Sequence, residues 1–505
     1  MGSQRQREQT LQMVVDLSTI EIDRTAAQIL GHEYAAQFNA LPIKRDASIL
    51  YVATHNPACM KTLNDIADIT ACHIVPLHAR EEDIRFYISN TFGAAAIHTI
   101  ASQFVVEKNL QDRSETDPAL LEALNAAPAV RLIDSLIDTG VLNRASDLHI
   151  EPFGRQLRAR YRVDGILHTH GLVDISLLAN IISRLKIMGN MDIAEKRLPQ
   201  DGHFTLSHAG EAIDFRLSTM PTMHGEKAVI RLLYGGASAR MRKNDLGFKA
   251  DDLVHITRLF HQPYGAVIIT GPTGSGKSTT LSTFLEELNQ AGRNIMTVED
   301  PVENPLLGVN HINAQTGGLG FAGALKHILR QDPDVIMIGE MRDRETARIA
   351  VQAALTGHVV LSTLHTNDAA GVIERLTDMG VEHYLAAAAL NGIISQRLVR
   401  RTCPHCVAPA TLTREQAALL EIPAKAPVFA GVGCGRCRST GYHSRFAVYE
   451  YVILNEHYRR QMAEAPVVFA RDLRALRGLR KNALHALTQG RTTAEEVIKA
   501  LHRDG

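Results

Sequence analysis

The sequence predicts a multidomain α/β chain. Three observations carry that reading. At 505 residues it exceeds one domain, and an apolar content of 45% lets each domain bury a core. Short apolar runs alternate with helical stripes around a glycine-rich octet, Gly271-Pro272-Thr273-Gly274-Ser275-Gly276-Lys277-Ser278. Two Cys-x-x-Cys pairs, Cys403/Cys406 and Cys434/Cys437, stand toward the C-terminal end, with a gap between them longer than the common zinc-ribbon spacing.

The octet comes first because its context is specific. Ala266-Val267-Ile268-Ile269 leads in as a strand, and Leu281, Phe284, Leu285 and Leu288 mark one face of the helix that follows. Strand, glycine-rich turn and helix start together make a phosphate cradle. Glycines let backbone N–H groups approach phosphate oxygens, and the helix start adds its favourable dipole end. Gly271 to Thr279 are therefore the expected nucleotide-binding residues. Lys277 reaches the β- and γ-phosphates, and Ser278 ligates Mg²⁺. The plain alternative is a glycine-rich turn before a helix.

Composition narrows the partners. Lys plus Arg and Asp plus Glu both number 54, and zero net charge disfavours a globally basic nucleic-acid binder. No apolar run approaches the ~20 residues that span a bilayer. The polar start, MGSQRQREQ, has no signal-peptide core.

Residues 1–95 read as a small α/β unit. Val14-Val15-Asp16-Leu17 is expected to be a short strand, and Ser18 to Asp23 offer caps for a helix through Leu30. Ile49 to Ala53 is a strand ended by Asn56-Pro57, Ile74 to Leu77 a weaker one, and Glu81-Glu82-Asp83 opens a helix. Residues 96–125 read as a linker, polar over 106–119, after which Pro128 introduces a helical stripe of Val130, Ile133, Leu136, Ile137 and Val141.

Residues 126–240 form a second α/β unit. Leu157, Ala159, Tyr161 and Val163 alternate with Arg158, Arg160 and Arg162, a half-buried strand with a cationic outer face, and Asp164-Gly165 is a hairpin turn. Ile213, Phe215 and Leu217 alternate around Asp214 and Arg216. In Ala228 to Leu233 both faces are apolar except at Arg231, and a cation there needs an anionic partner. A buried carboxylate and a nucleotide phosphate both meet that need.

From 245 to 505 the phosphate-binding domain follows. The strand Asn294 to Val298 ends in Glu299-Asp300-Pro301-Val302-Glu303, whose carboxylates suit metal ordering and water activation, or form an acidic surface turn. Gly318 to Gly323 matches a dinucleotide glycine pattern by letter, but no strand leads into it, so it reads as a loop before a helix. Asp334 to Ile338 is a buried strand with Glu340 just beyond it, the form of a carboxylate acting on Mg²⁺ or its waters. Thr356-Gly357-His358 precedes an apolar strand, Val359-Val360-Leu361, ending at Ser362-Thr363-Leu364-His365-Thr366, and a histidine at a strand end near the γ-phosphate can sense or orient it. Either histidine alone is more often structural. Cys403, Cys406, Cys434 and Cys437 suit tetrahedral Zn²⁺ within a subdomain spanning 398–446, with free thiols or a disulfide as the alternative. The stretch 447–505 reads as helical.

The order of these motifs resembles the secretion ATPases, the motors of type II secretion and type IV pilus assembly. The resemblance rests on the octet with Thr279-Thr280, Val298 to Glu303, Arg330 to Asp334 with Gly339 to Asp343, and Thr356-Gly357-His358 through His365-Thr366. Ala145 to Pro152, Asp192 to Gly202 and His224 to Lys227 extend it over nearly the whole chain from Ala127. The cysteine pairs resemble those of extension-type members. The resemblance implies a RecA-like P-loop core, a preceding PAS-like domain, a small N-terminal docking domain and a zinc-binding subdomain. It implies that Lys277 and Ser278 bind phosphate and Mg²⁺, that Glu303 is the general base, and that Glu340 is the Walker B carboxylate. His358 and His365 match a histidine box, and Arg216 and Arg231 match arginines that reach the nucleotide. ATP, Mg²⁺ and Zn²⁺ are the implied cofactors. The implied assembly is a cytoplasmic homohexamer, peripheral to the inner membrane, meeting a platform protein and a cytoplasmic-face assembly protein. The N-terminal part resembles only the later part of the family module, from Val14 to Gly93, so no cyclic-di-GMP binding is expected. A nucleic-acid motor is the alternative reading. An adaptor without turnover is disfavoured by the presence of both Glu303 and Glu340.

Overall fold

The computed structural model describes residues 14–17, 20, 22–88, 91–92, 118–208, 210–234 and 241–501. It divides into two compact units, Met1–Ser238 with Cys434–Arg436, and Ala239–Gly433 with Cys437–Gly505.

The first unit carries two sheets. In the smaller one β1 (Ala40–Asp46) and β2 (Ile49–Thr54) form an antiparallel hairpin, and β3 (His73–His78) joins β2 in parallel. The helical span Arg24–Phe38 is broken by a kink at Gly31, φ 75°, and is capped by Asp23, which accepts from the Thr25 N–H. Residues 81–88 are helical, as the acidic opening predicts. Val14 to Leu17 is not a strand: Leu17 is in a 3₁₀ turn, although the Val15 N–H bonds the His78 carbonyl at 2.7 Å. Most of the expected linker, including the polar stretch up to 117, lies outside the described residues. Its last part is helix, because Pro118–Leu142 is one continuous helix that begins with a proline and passes through Pro128. A proline costs a helix interior about 3 kcal/mol, and here burial of Ile133, Leu136 and Ile137 offsets it.

The larger sheet of this unit is antiparallel throughout, in the order β6-β5-β4-β9-β8-β7. These strands are β4 (Asp147–Phe153), β5 (Gln156–Val163), β6 (Ile166–Asp174), β7 (Gln200–His208), β8 (Glu211–Thr222) and β9 (Gly225–Tyr234). Asp164 and Gly165 both take positive φ, 49° and 86°, the geometry that a two-residue hairpin turn requires. One face packs on the helices Pro118–Leu142 and Leu178–Met188 through Leu148, Ile150, Tyr161, Phe215 and Ile230.

The second unit is built on a seven-stranded sheet ordered β12-β11-β13-β14-β10-β15-β18. The strands are β10 (Gly265–Thr270), β11 (Ile295–Glu299), β12 (Asn310–Asn313), β13 (Val335–Ile338), β14 (Val359–Leu364), β15 (Leu390–Thr402) and β18 (Tyr442–Ile453). All pairs are parallel except β15 with β18. A parallel sheet needs cover on both faces, which is why β10, β13 and β14 are buried at every position. One cover is the helix Lys277–Leu288, whose Leu281, Phe284, Leu285 and Leu288 are buried, with Phe260 stacked on Phe284 at 4.0 Å. Between β15 and β18 the chain makes an excursion containing β16 (Val407–Ala410) and β17 (Val428–Gly431), paired antiparallel. The C-terminal stretch is not helical from 447. Ala447-Val448-Tyr449 continues β18, a β-branched and aromatic run bonded along β15, and helices begin at Glu456.

Candidate active site and metal centre

In a parallel sheet, ligands bind beyond the carboxyl ends of the strands. Four such ends meet here. β10 runs into the glycine-rich loop, β11 into the acidic box, β13 into Gly339-Glu340, and β14 into His365-Thr366. β14 stands between β10 and β13, so the His365 segment separates the phosphate loop from Glu340.

The loop's shape follows from its neighbours. Gly271 has φ 147°, and a Cβ there would meet the Gln396 carbonyl oxygen at 2.3 Å. Only glycine permits that approach. Gln396 lies on β15 and grips the loop twice more. Its Nε2 donates to the Ser275 carbonyl at 2.8 Å, and its Oε1 accepts from the Thr280 hydroxyl at 3.1 Å. The sequence reading missed this residue. The signal was present as a polar trio, Ser395-Gln396-Arg397, inside an apolar strand. Lys277 opens the helix, and its Nζ folds back onto the carbonyls of Gly271 at 2.8 Å and Pro272 at 3.1 Å. Burial lowers its pKa to about 8, helped by Arg397 and opposed by Glu340. Thr273 and Ser278 are exposed.

Glu340 accepts from Arg342 at 2.5 Å and stands 3.5 Å from His365 Nε2. Burial holds the His365 pKa below its usual value, Lys277 adds to that, and Glu340 opposes it. The segment bearing His365 is tied down by Thr270, whose hydroxyl meets the Thr366 hydroxyl at 2.7 Å and the Thr366 N–H at 3.0 Å. Arg397 adds a bond to the Asn367 carbonyl at 2.8 Å. Glu299 is held by the Thr297 hydroxyl at 2.7 Å and by His311 Nδ1 at 3.0 Å. Glu303 is exposed, four residues beyond the end of β11.

The structure does not bring every expected residue to this place. His358 sits at the opposite end of β14. Its carbonyl accepts from Gly265 at the start of β10, and its Nδ1 lies 3.0 Å from the Ala353 carbonyl. The six residues of β14 separate the two histidines, roughly 23 Å along the strand. His358 therefore closes the helix–strand turn and does not join His365.

Arg216 and Arg231 lie in the first unit, directly opposite each other on β8 and β9. The expected burial of Arg231 is corrected: its side chain is 60% exposed and its Nε lies 3.2 Å from the buried Asp147. The apolar run misled because alternate positions of β9 face opposite ways, and Arg231 belongs to the polar face. On the same face Arg158 and Arg160 are ion-paired to Glu151, and Arg162 to Asp147.

The four cysteines converge. The sulfurs of Cys403, Cys406, Cys434 and Cys437 all lie within 4.8 Å of one another, and those of Cys406 and Cys437 are 3.7 Å apart. Four thiolates 2.3 Å from a tetrahedral ion stand about 3.8 Å from each other, so the set fits Zn²⁺. The Gly441 N–H donates to Cys437 Sγ at 3.3 Å, the kind of bond that steadies a thiolate. Burial and neighbouring thiols push Cys406 up to about 12, so its thiolate needs a cation beside it.

Comparison with known proteins places the chain among secretion and pilus proteins. The family model described as "Type II/IV secretion system protein" matches residues 122–499, and the MshEN domain model matches 11–98. The type II secretion system protein E of Aeromonas hydrophila is 43% identical over 392 residues, covering 76% of this chain and 78% of that protein. The type IV pilus assembly ATPase PilB of Myxococcus xanthus is 38% identical over 502 residues, covering 96% and 88%. Among solved structures, the pilus retraction motor PilT with bound ADP aligns at TM-score 0.50 and 26% identity, covering 72% of this chain and 95% of that one. The Legionella pneumophila ATPase DotB shares the fold at TM-score 0.56 and 21% identity, covering 74% and 95%.

Proposed function

The chain belongs to the type II/IV secretion system protein family, whose members are ATPases, and from that premise we propose that it works as a hexameric motor at the inner membrane. In this reading it assembles a type IV pilus or a type II secretion pseudopilus. The observation that carries the proposal is the meeting of the phosphate loop, the acidic box, Glu340 and His365 at four adjacent strand ends. Residues 1–95 dock onto a cytoplasmic-face assembly protein, 126–240 close over the nucleotide, and 245–505 hold it. Among the described residues no helix is long and apolar enough to cross a membrane. In this reading a platform protein provides the attachment.

The residues act as follows. The triphosphate lies against the N–H groups of Gly274 to Thr279, and Lys277 exchanges the carbonyls of Gly271 and Pro272 for phosphate oxygens. Ser278 and Glu340 would hold Mg²⁺, which supplies charge neutralisation on the β- and γ-phosphates. Glu303 accepts a proton from the attacking water as its oxygen bonds the γ-phosphorus. The bond from that phosphorus to the bridging oxygen breaks, and ADP leaves with the electron pair. His365, kept neutral beside Glu340, orients the γ-phosphate. Arg216 and Arg231 bring positive charge to the phosphates, with Arg231 leaving Asp147 to do so. The four cysteines would hold Zn²⁺ as a structural ion.

The test is hydrolysis and solution mass, with and without ATP–Mg²⁺, for the wild type and Glu303→Gln. A nucleotide-dependent hexamer whose turnover falls at least a hundredfold in the variant, with ATP binding kept, is the expected result, since general-base catalysis contributes about 10²–10⁴-fold. Full turnover by the variant would remove Glu303 from the mechanism.

A further inference from the structure

Between the parallel strands β11 and β12 a loop, residues 300–309, leaves the active-site end of the sheet and returns to its opposite end, and that loop carries Glu303. Nothing in the sequence pattern says how the loop is held, and one imidazole does much of it. His311, on β12, is 11% exposed in its side chain and makes contacts from both ring nitrogens. Its Nε2 accepts from the backbone N–H of Leu306 at 2.9 Å. Its Nδ1 lies 2.8 Å from the Thr297 hydroxyl and 3.0 Å from Glu299 Oε1.

These contacts define the tautomer. Because Nε2 must offer its lone pair to Leu306, the ring proton sits on Nδ1, where an acceptor carboxylate faces it. The Thr297 hydroxyl donates to the same Glu299 oxygen at 2.7 Å, so every donor in the cluster has an acceptor. One end of the ring is thus fixed to the end of β11, and the other to the return of the acidic-box loop. Leu306 is itself buried in the core beside Leu288 and Ile295, and Asn289 fixes the next residue through the Leu307 carbonyl at 2.7 Å. Glu303 stands three residues before this anchor and four after Glu299.

We propose that His311 is a positioning residue for hydrolysis, a strap whose acceptor at Nε2 sets the reach of the loop bearing Glu303. The proposal rests on Glu303 being the base. It concerns kcat and leaves nucleotide binding alone, because the phosphate loop is held separately by Gln396.

The two ends of the ring can be separated by substitution. A glutamine amide reaches the place of Nε2 and keeps an acceptor for Leu306, whereas an asparagine amide reaches only the place of Nδ1 and keeps the donor to Glu299. The experiment is steady-state ATP hydrolysis and nucleotide affinity for the full chain as His311→Gln, His311→Asn, His311→Ala and Glu303→Gln, with thermal melting of each. The expected result is a fall in kcat of about ten- to a hundredfold for the Asn and Ala variants, the cost of a misplaced catalytic group, with KM for ATP within about threefold of the wild type. The Gln variant is expected to recover most of the rate. Equal losses in Gln and Asn, or a loss that appears in nucleotide affinity and melting instead of kcat, would overturn the strap. A normal rate in His311→Ala beside a dead Glu303→Gln would refute the strap and leave the base reading intact. An active Glu303→Gln would refute the base reading, and with it the proposal.

Discussion

At the scale of single residues, the side chains that matter most here are polar groups buried with assigned partners. Glu450, on β18, is one that the site does not use. It accepts from the Ala369 N–H at 3.0 Å and the Leu479 N–H at 3.2 Å, so one carboxylate serves the first turns of two helices, Ala369–Asp378 and Gly478–Thr488. Burial nevertheless raises its pKa above the ordinary 4.5, and the two N–H bonds oppose the shift without cancelling it. The sign follows. A carboxyl group whose pKa is higher when folded binds its proton more tightly in the native state, so its contribution to stability is complete below pH 4.5 and is lost as pH rises through the folded value. Wild-type melting temperature should therefore fall with rising pH above 4.5 more steeply than that of Glu450→Gln, which has no proton to lose there. Parallel profiles for the two proteins would show that the helix N–H groups outweigh burial.

At the scale of elements, the phosphate loop was legible because its chemistry demands a local pattern. Gly271, Gly274, Gly276 and Lys277 are contiguous, and so are the strand and helix that carry them. Glu340 and His365 were legible for the same reason, as residues just past apolar strands. What supports them was not, because support comes from elements distant in sequence. Gln396 lies 121 residues from Ser275, and its bond to that loop exists only because β15 pairs with β10 in parallel. His358 misled in the reverse sense, since nearness in sequence to His365 hides a strand's length between them. The part of β18 from Ala447 reads as helix because a β-branched and aromatic run of moderate length carries no unique period, and its partner β15 decides. The Gln396 contacts make a prediction at this scale. Gln396→Ala removes two buried hydrogen bonds and leaves the Ser275 carbonyl and Thr280 hydroxyl without those partners, a cost of about 1–3 kcal/mol for an unsatisfied group. Part of that cost falls on the nucleotide-binding conformation, so ATP affinity should drop about tenfold, read by calorimetric titration. Unchanged affinity in a folded variant would show that the loop keeps its shape without the prop.

At the scale of the whole chain, the cysteine cluster is placed where it could either govern the motor or merely close a loop, and the topology favours the second. Cys403 follows directly on β15, and Cys434 and Cys437 precede β18, so the four sulfurs close an excursion that begins and ends on neighbouring strands. Those strands are bonded to each other from Gly392 to Thr402 independently of the excursion. Outside the cluster, the excursion has a two-stranded ribbon and one short helix, Arg414–Leu420, and its Leu412, Leu420 and Val428 are buried against the C-terminal helices with Leu479, Leu487 and Val497. A structural Zn²⁺ contributes about 10–16 kcal/mol in zinc-finger peptides, so its loss should free the cysteine-bearing ends of the excursion even where that packing holds. Gln396 sits in the middle of β15, well inside the ladder, so its grip on the phosphate loop should survive loss of the ion. The double variant Cys406→Ser, Cys437→Ser should therefore lose one zinc per chain by elemental analysis and become cleavable by protease between 403 and 441. Its ATP affinity should stay within about threefold of the wild type, a difference of less than 1 kcal/mol. If affinity falls in step with zinc content instead, the ladder of β15 and β18 depends on the excursion, and the metal is part of the nucleotide site's support.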